Sequence, residues 1–140
     1  MTDKNEDIEM KSSGGPKRAT LASMKKKKRA ESEFSIFVRD GSETIELTLL
    51  YRAIGARRYD ELVSQHPPKA ADRLEGATFD LDTFAPALIA EVCVEPRMSV
   101  EDTIELWSSD DWSRGDLMVL FRNAVELNNR GIDVPFSARG

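Results

Sequence analysis

An Asp-Gly pair between two strand-like runs is the feature that most restricts how this chain can fold. The runs SEFSIFV and ETIELTLLYRAI are rich in β-branched and aromatic residues, and they flank RDGS at residues 39–42. Asp-Gly in this setting is a strong signal for a tight hairpin turn. In the second run Ile45, Leu47 and Leu49 alternate with polar residues, which is the period of a strand with one buried face. The sequence therefore predicts a β-hairpin that packs one face against the rest of the protein.

Beyond the hairpin the apolar residues recur at helical spacing, and four short helices are predicted. The first spans ARRYDELVSQH and is ended by two prolines at 67–68. A polar linker, KAADRLEGAT, separates it from the second, FDLDTFAPALIAEVC, whose N-cap is Asp80 or Asp82. Ser-x-x-Asp pairs at 99–102 and 113–116 open the third and fourth helices, because the serine can cap free backbone amides there.

Each of the later helices has a predicted apolar face. On the second helix this face holds Phe84, Leu88, Ile89, Val92 and Cys93. On the third it holds Val100, Ile104 and Trp107, and on the fourth Leu117, Leu120, Phe121, Ala124, Val125 and Asn128. We place Met118 and Leu127 outside the face of the fourth helix. That helix is then apolar on two sides, which favours association with a partner.

Composition divides the chain into three parts. Residues 1–33 are rich in Ser, Gly, Lys and Glu and carry a net charge of +3, and we predict a disordered basic arm, although a short helix over ATLASMKKKKRAES is allowed by propensity. Residues 34–130 form the predicted folded domain, and 131–140 a flexible tail. The part from 34 to 140 carries a charge of −8, so the folded part is acidic. The expected fold class is mainly α with a small N-terminal β-hairpin (α+β).

The sequence favours a cytosolic protein. The longest apolar stretch, APALIAEVCV, is interrupted by Pro86 and Glu91 and is too short to span a bilayer. The first ten residues lack the apolar segment of a secretory signal. A single cysteine cannot form an internal disulfide, which agrees with a reducing compartment.

Residues suited to catalysis or metal binding are scarce. His66, the one histidine, directly precedes two prolines, and we interpret it as a helix end. A zinc site needs about four ligands, which His66 and Cys93 cannot supply without carboxylates. A Cys93–His66 nucleophile pair is formally possible, but Cys93 falls on an apolar helix face, where a buried inert thiol is expected. No phosphate-binding glycine motif or nucleophile elbow is present. We therefore expect no enzyme, catalytic residue, cofactor or metal.

The basic run Lys25, Lys26, Lys27, Lys28 and Arg29 leaves two interpretations open. Consecutive cations on an arm could contact an anionic surface or phosphates in a salt-dependent, sequence-independent way. Such a small nucleic-acid-binding or regulatory protein is the alternative function. However, no aromatic residues are interleaved for base stacking, and the acidic domain would repel phosphate, so a solubilising segment is at least as reasonable.

Trp112 also has two interpretations. It immediately precedes the cap of the fourth helix, where it could pack as a hydrophobic staple on that helix or lie exposed as an anchor for a partner.

The order of these segments resembles a known family. LTLLYRAIGARRYDELVSQHPP, then FDLDTFAPALIAEVCVEPRMSVEDTIELW, then WSRGDLMVLFRNAVELNN is similar to the tail assembly chaperones of long-tailed bacteriophages that infect actinobacteria. The resemblance covers about residues 45–136 and includes DVPFS near the end, but it skips the basic leader. It rests on the order of the segments, because no single motif is a chemical signature.

The resemblance implies a non-enzymatic role in the host bacterial cytoplasm. Such proteins bind the tape measure protein, keep it soluble until tail tube subunits polymerise around it, and are absent from the finished virion. Many exist in a short form and a longer form made by programmed frameshifting, and this chain would match the short one. Expected partners are the tape measure protein, the tail tube protein, the longer form and further copies of the chain, with no membrane and no nucleic acid. As a hypothesis, the partner-binding residues are Trp112, Met118, Phe121 and Leu127.

Overall fold

The computed structural model describes residues 15–129, which form a mixed α and β fold of six helices and a three-stranded antiparallel sheet. In chain order the elements are α1 (Leu21–Lys25), β1 (Glu31–Asp40), β2 (Glu43–Arg52), α2 (Ala56–Ser64), α3 (Ala70–Leu74), α4 (Leu81–Val92), β3 (Cys93–Glu95), α5 (Val100–Trp107) and α6 (Arg114–Asn128). The predicted tail and the first fourteen residues of the predicted arm lie outside the described residues.

The hairpin forms where the Asp-Gly pair predicts it. β1 and β2 are ten residues each and pair antiparallel, from Glu31 opposite Arg52 to Asp40 opposite Glu43. Gly41 has a φ of +67°, a left-handed conformation that glycine adopts without the steric cost of a side chain. The turn prediction is confirmed.

The prediction that the hairpin is N-terminal is wrong. Helix α1 precedes it, and β1 begins at Glu31 rather than near residue 34. The start of α1 is set by a capping box in which the Thr20 hydroxyl accepts a 3.0 Å hydrogen bond from the Ser23 amide. No residue of α1 is buried, so this helix is stabilised by local hydrogen bonds rather than by the core.

Two further elements are absent from the sequence prediction. Helix α3 lies within the predicted polar linker and buries no residue. Strand β3 extends the sheet beside β2, with Leu50 opposite Glu95 and Tyr51 opposite Cys93. Three residues that directly follow a helix have no period of their own, so apolar spacing cannot reveal such a strand.

Helix α4 runs through the centre of the core. The Asp80 side chain caps it by accepting a hydrogen bond from the Asp82 amide. All five residues of its predicted apolar face are buried, and so are Ala85, Pro86 and Ala87, so the helix is covered on nearly every side. Cys93, assigned by the sequence to this helix, is the first residue of β3.

The predicted stripe on α5 is wrong in two of its three residues. Val100 and Ile104 are 43% and 48% exposed, and the buried residues are Thr103 and Trp107. The Thr103 hydroxyl donates a 2.8 Å hydrogen bond to the Pro86 carbonyl oxygen, which satisfies its polar group inside the core. Apolar periodicity does not recognise a buried threonine. The capping box of Ser99 and Asp102 is confirmed.

Helix α6 completes the core with Leu117, Leu120, Phe121, Ala124 and Leu127. Leu127 is 3% exposed and belongs to the buried face, so its predicted position outside that face is wrong. It lies seven residues after Leu120, which returns it to the same side of the helix. The Asn128 side-chain oxygen accepts the Ile54 amide at 2.8 Å and ties the end of α6 to the chain just after β2.

Candidate functional site

An apolar groove of about 480 Å³ lies between the hairpin and the helices. Its lining comes from three parts of the fold: the hairpin, the end of β3 with the connection after it, and the α5–α6 region. The lining residues are Ile36, Leu47, Thr48 and Leu49, then Glu95, Pro96 and Met98, then Leu106, Trp112 and Leu120.

The hairpin supplies one side of the groove through its strand period. Ile36 lies opposite Leu47 in the register, and Leu49 follows two residues later on the same face. Ile36 and Leu49 are buried, whereas Leu47 is 41% exposed. The groove is therefore open to solvent at Leu47.

A buried hydrogen bond fixes the other side relative to the sheet. The Tyr51 hydroxyl donates to the Leu120 carbonyl oxygen at 3.1 Å, and Leu120 lines the groove. Burial raises the pKa of Tyr51 far above its ordinary value, with a smaller contribution from Cys93, so the hydroxyl stays protonated as a donor. The ring of Tyr51 also packs edge-on against Phe34, with centroids 4.7 Å apart.

The lining suits an apolar ligand with few charges. Among the lining residues Glu95 is the charged one and Trp112 carries an indole N–H, whereas the Thr48 side chain lies on the opposite face of β2, beside Ser35. A lining of this kind buries apolar surface of a ligand and offers it few hydrogen bonds. Apolar side chains that a partner helix presents at helical spacing match this chemistry.

The sequence-predicted contact residues divide between the groove and the core. Trp112 lines the groove and is half-buried against the core. Met118 is also half-buried and packs against the core. Phe121 and Leu127 are 7% and 3% exposed, so their side chains are not accessible to a partner in this structure.

The remaining groove residues were missed by the sequence reasoning. The alternation in β2 assigns Leu47 to a buried face, but it cannot show how much of that face the helices cover. Met98 lies in the connection between β3 and α5, and Leu106 lies on α5. Neither residue has a role predicted from the sequence. The signal that could have identified a groove is the apolar face of β2, which is longer than the predicted core requires.

The basic segment lies apart from the groove. Lys25 ends α1, and all five residues from Lys25 to Arg29 are exposed. Lys27, Lys28 and Arg29 surround a polar surface depression together with Glu31 and Arg52. Since the Arg52 guanidinium pairs with the Glu31 carboxylate at 2.7 Å, part of this positive charge is already neutralised.

His66 and Cys93 lie at different ends of α4. His66 follows the end of α2, its carbonyl oxygen accepts the Asp80 amide at 2.9 Å, and its ring lies 6.3 Å from that of Phe84. Cys93 is nine residues beyond Phe84, about 13 Å along a helix. Burial raises the pKa of Cys93 to about 11, which favours the unreactive thiol. The two side chains therefore do not form a nucleophile pair in this structure.

Residues 15–129 contain neither a metal-binding cluster nor a membrane-spanning helix. No cluster of three or more His, Cys, Asp or Glu side chains could hold a metal ion there. In the same part of the chain, no helix combines the length and apolar character needed to cross a bilayer.

Comparison with family models, curated proteins and solved structures found no match to this chain.

Proposed function

We propose that this chain is the short form of a tail assembly chaperone of a long-tailed bacteriophage that infects actinobacteria. It binds the tape measure protein in the host cytoplasm, keeps it soluble, promotes tail tube assembly and is absent from the finished virion. It is not an enzyme. The resemblance over residues 45–136 supports this proposal, and the groove supplies a binding surface of suitable chemistry.

The observation that carries the proposal is the open apolar groove at Leu47 and Trp112. A tape measure protein, as the resemblance implies, is long, helical and prone to aggregation. The apolar faces of its helices need cover before the tail tube surrounds them. A groove of about 480 Å³ takes a few side chains from one helix face, so each contact is weak and reversible.

Weak contacts suit a protein that must later be released. Several copies along one client give a strong total interaction without any single tight site. The net charge of −8 on residues 34–140 keeps the complexes apart in solution, because like-charged particles repel one another. The tail tube protein and the longer frameshifted form are further proposed partners.

Co-expression tests the proposal. The tape measure protein of the same phage is produced with and without this chain, and its soluble fraction and co-purification are measured. We expect a soluble client only in the presence of the chain, and elution of the two together. A client that stays insoluble with nothing co-purifying would contradict the proposal.

The basic segment at residues 25–29 supports an alternative function. Lys27, Lys28 and Arg29 around one polar depression favour contact with phosphates as a second candidate function. Salt-sensitive binding of DNA or RNA that is abolished by deletion of residues 1–33, together with no effect on the client, would support a nucleic-acid-binding protein instead.

A further inference from the structure

Strand β1 leaves one edge of the sheet unpaired. The strand order is β1-β2-β3, and nothing within residues 15–129 pairs with the outer edge of β1. This edge is ten residues long, and its sequence ESEFSIFVRD contains neither lysine nor proline. Charged side chains and proline are common protections of edge strands, and the central residues 34–38 of β1, FSIFV, contain neither, so this part of the edge is a template for a further strand.

The register shows which backbone groups face this edge. The Ala30 carbonyl oxygen accepts the Ala53 amide at 2.8 Å, and this pair continues the register of Glu31 and Arg52. Because hydrogen-bonded and non-bonded pairs alternate along an antiparallel ladder, the even-numbered residues of β1 bond to β2. The odd-numbered residues, Glu33, Ser35, Phe37 and Arg39, point their amides and carbonyls outward.

The same edge carries a large exposed aromatic side chain. Phe37 is 63% exposed, on the face of the sheet opposite Ile36. Among residues 15–129, Leu21, Met24 and Leu74 are the other large apolar residues that are at least 63% exposed, and of these four only Phe37 lies in a strand.

We propose that β1 pairs antiparallel with β1 of a second copy, which gives a two-fold symmetric dimer with a six-stranded sheet. The symmetry axis passes at Ile36, so that Ile36 faces its counterpart. In this register Glu33 lies opposite Arg39 of the second copy, and symmetry forms this oppositely charged pair twice. Phe37 lies opposite Ser35 and gains cover from the second strand.

The neighbouring registers are less complementary. A shift by two residues in one direction places Arg39 opposite Ser35 and leaves it without a carboxylate. A shift in the other direction places it opposite Glu31, which already pairs with Arg52 at 2.7 Å. The register centred on Ile36 is therefore the one that pairs Arg39 with Glu33.

The dimer joins two copies of the groove. A two-fold axis perpendicular to the sheet keeps both groove faces on one side, where Leu47 and Ile36 of one copy continue into Ile36 and Leu47 of the other. With strands about 4.8 Å apart, this apolar row is about 14 Å long. The dimer does not depend on the proposed function. Only the binding of a helical client to the joined groove depends on the proposed function.

Sedimentation of the purified full chain without any client tests the proposal. Wild-type protein is expected to dimerise as its concentration rises from micromolar towards millimolar. Ser35→Pro removes an outward-facing amide without breaking a bond to β2, and it is expected to abolish dimerisation, whereas Ser35→Ala keeps the amide and the dimer. Circular dichroism establishes that the proline variant is folded.

Charge exchange tests the register with exposed residues that do not endanger the fold. Arg39→Glu sets like charges opposite each other twice and is expected to weaken the dimer about tenfold. Adding Glu33→Arg to it restores the opposite charges and is expected to restore the dimer. Amide exchange of Ser35 and Phe37 should slow with concentration, while that of even-numbered residues stays slow throughout. A chain that is monomeric at all concentrations, or a dimer indifferent to Ser35→Pro and to Arg39→Glu, would overturn the proposal.

Discussion

The Tyr51 hydroxyl donates a 3.1 Å hydrogen bond to the Leu120 carbonyl oxygen inside the core, which joins the central strand of the sheet to the last helix. Tyr51 has no exposed surface, and Leu120 has 2%. The bond spans 69 positions of the sequence. It sets the distance between the two sides of the apolar groove, because Leu49 on β2 and Leu120 on α6 both line it.

Removal of that hydroxyl should lower stability without changing the fold. Tyr51→Phe leaves the ring in place but withdraws the donor from a buried carbonyl, so we expect a loss of about 1 kcal/mol in the free energy of unfolding. Chemical denaturation measures it. Tyr59→Phe is the matched control, because the Tyr59 hydroxyl makes only a 3.4 Å contact with Asn129 and is half-buried. Equal losses in the two variants would show that the buried bond has no special role.

The docking of α5 on α4 should depend on a hydroxyl group. Thr103→Val keeps the shape of the side chain but leaves the Pro86 carbonyl oxygen without the Thr103 donor, and we expect it to cost about 1–2 kcal/mol. Thr103→Ser retains the donor and should cost less, despite the lost methyl group. Thermal unfolding of both variants checks the order. A valine variant more stable than the serine variant would contradict it.

Substitution of Phe121 or Leu127 should lower the free energy of unfolding rather than remove a contact with a partner. Leu127→Ala creates a cavity in the core and should cost about 2–4 kcal/mol, and Phe121→Ala about 3–5 kcal/mol. Denaturant titration measures these losses. If either variant unfolded like the wild type, that side chain would not belong to the core.

The buried thiol of Cys93 should make stability depend on pH at the alkaline end. Burial raises its pKa from about 9 to about 11. Between these values the unfolded thiol ionises while the folded one does not, so the free energy of unfolding falls as pH rises, by about 2.7 kcal/mol at most. Below pH 9 the thiol is neutral in both states, so the full contribution of Cys93 to the free energy of unfolding is present there. Cys93→Ala should flatten this part of the profile, because Tyr51, whose pKa is raised mainly by burial, is present in both proteins. Identical pH profiles would contradict this assignment.

Local signals in the sequence predicted much of the fold. The Asp-Gly turn, the two prolines after His66 and the Ser and Asp caps are short motifs whose geometry is set by adjacent residues. Together with the helical spacing of apolar residues, they predicted the hairpin and four of the helices. Thr103 and β3 could not be predicted, because their stability comes from distant partners, the Pro86 carbonyl oxygen and strand β2.

The sequence did not predict the groove, and of the residues that line it only Trp112 was predicted to contact a partner. Apolar spacing identifies residues that need cover but not the element that covers them. Leu127 and Leu47 are both leucines in periodic runs, yet one is 3% exposed and the other 41%. The difference arises because α6 packs along its whole length, whereas the helices leave part of the hairpin face open.

Binding of the client by matched groove variants tests the central claim most directly. Leu47 and Ile104 are 41% and 48% exposed, but only Leu47 lines the groove. Leu47→Gln and Ile104→Gln therefore each replace a similarly exposed aliphatic side chain with glutamine, the first inside the groove and the second outside it. Each variant is co-expressed with the tape measure protein, and the amount of co-purified soluble client is compared with wild type. We predict that Leu47→Gln loses most of the client while Ile104→Gln retains it, with both variants folded. Equal retention of the client by the two variants would contradict the assignment of the groove as the client-binding site.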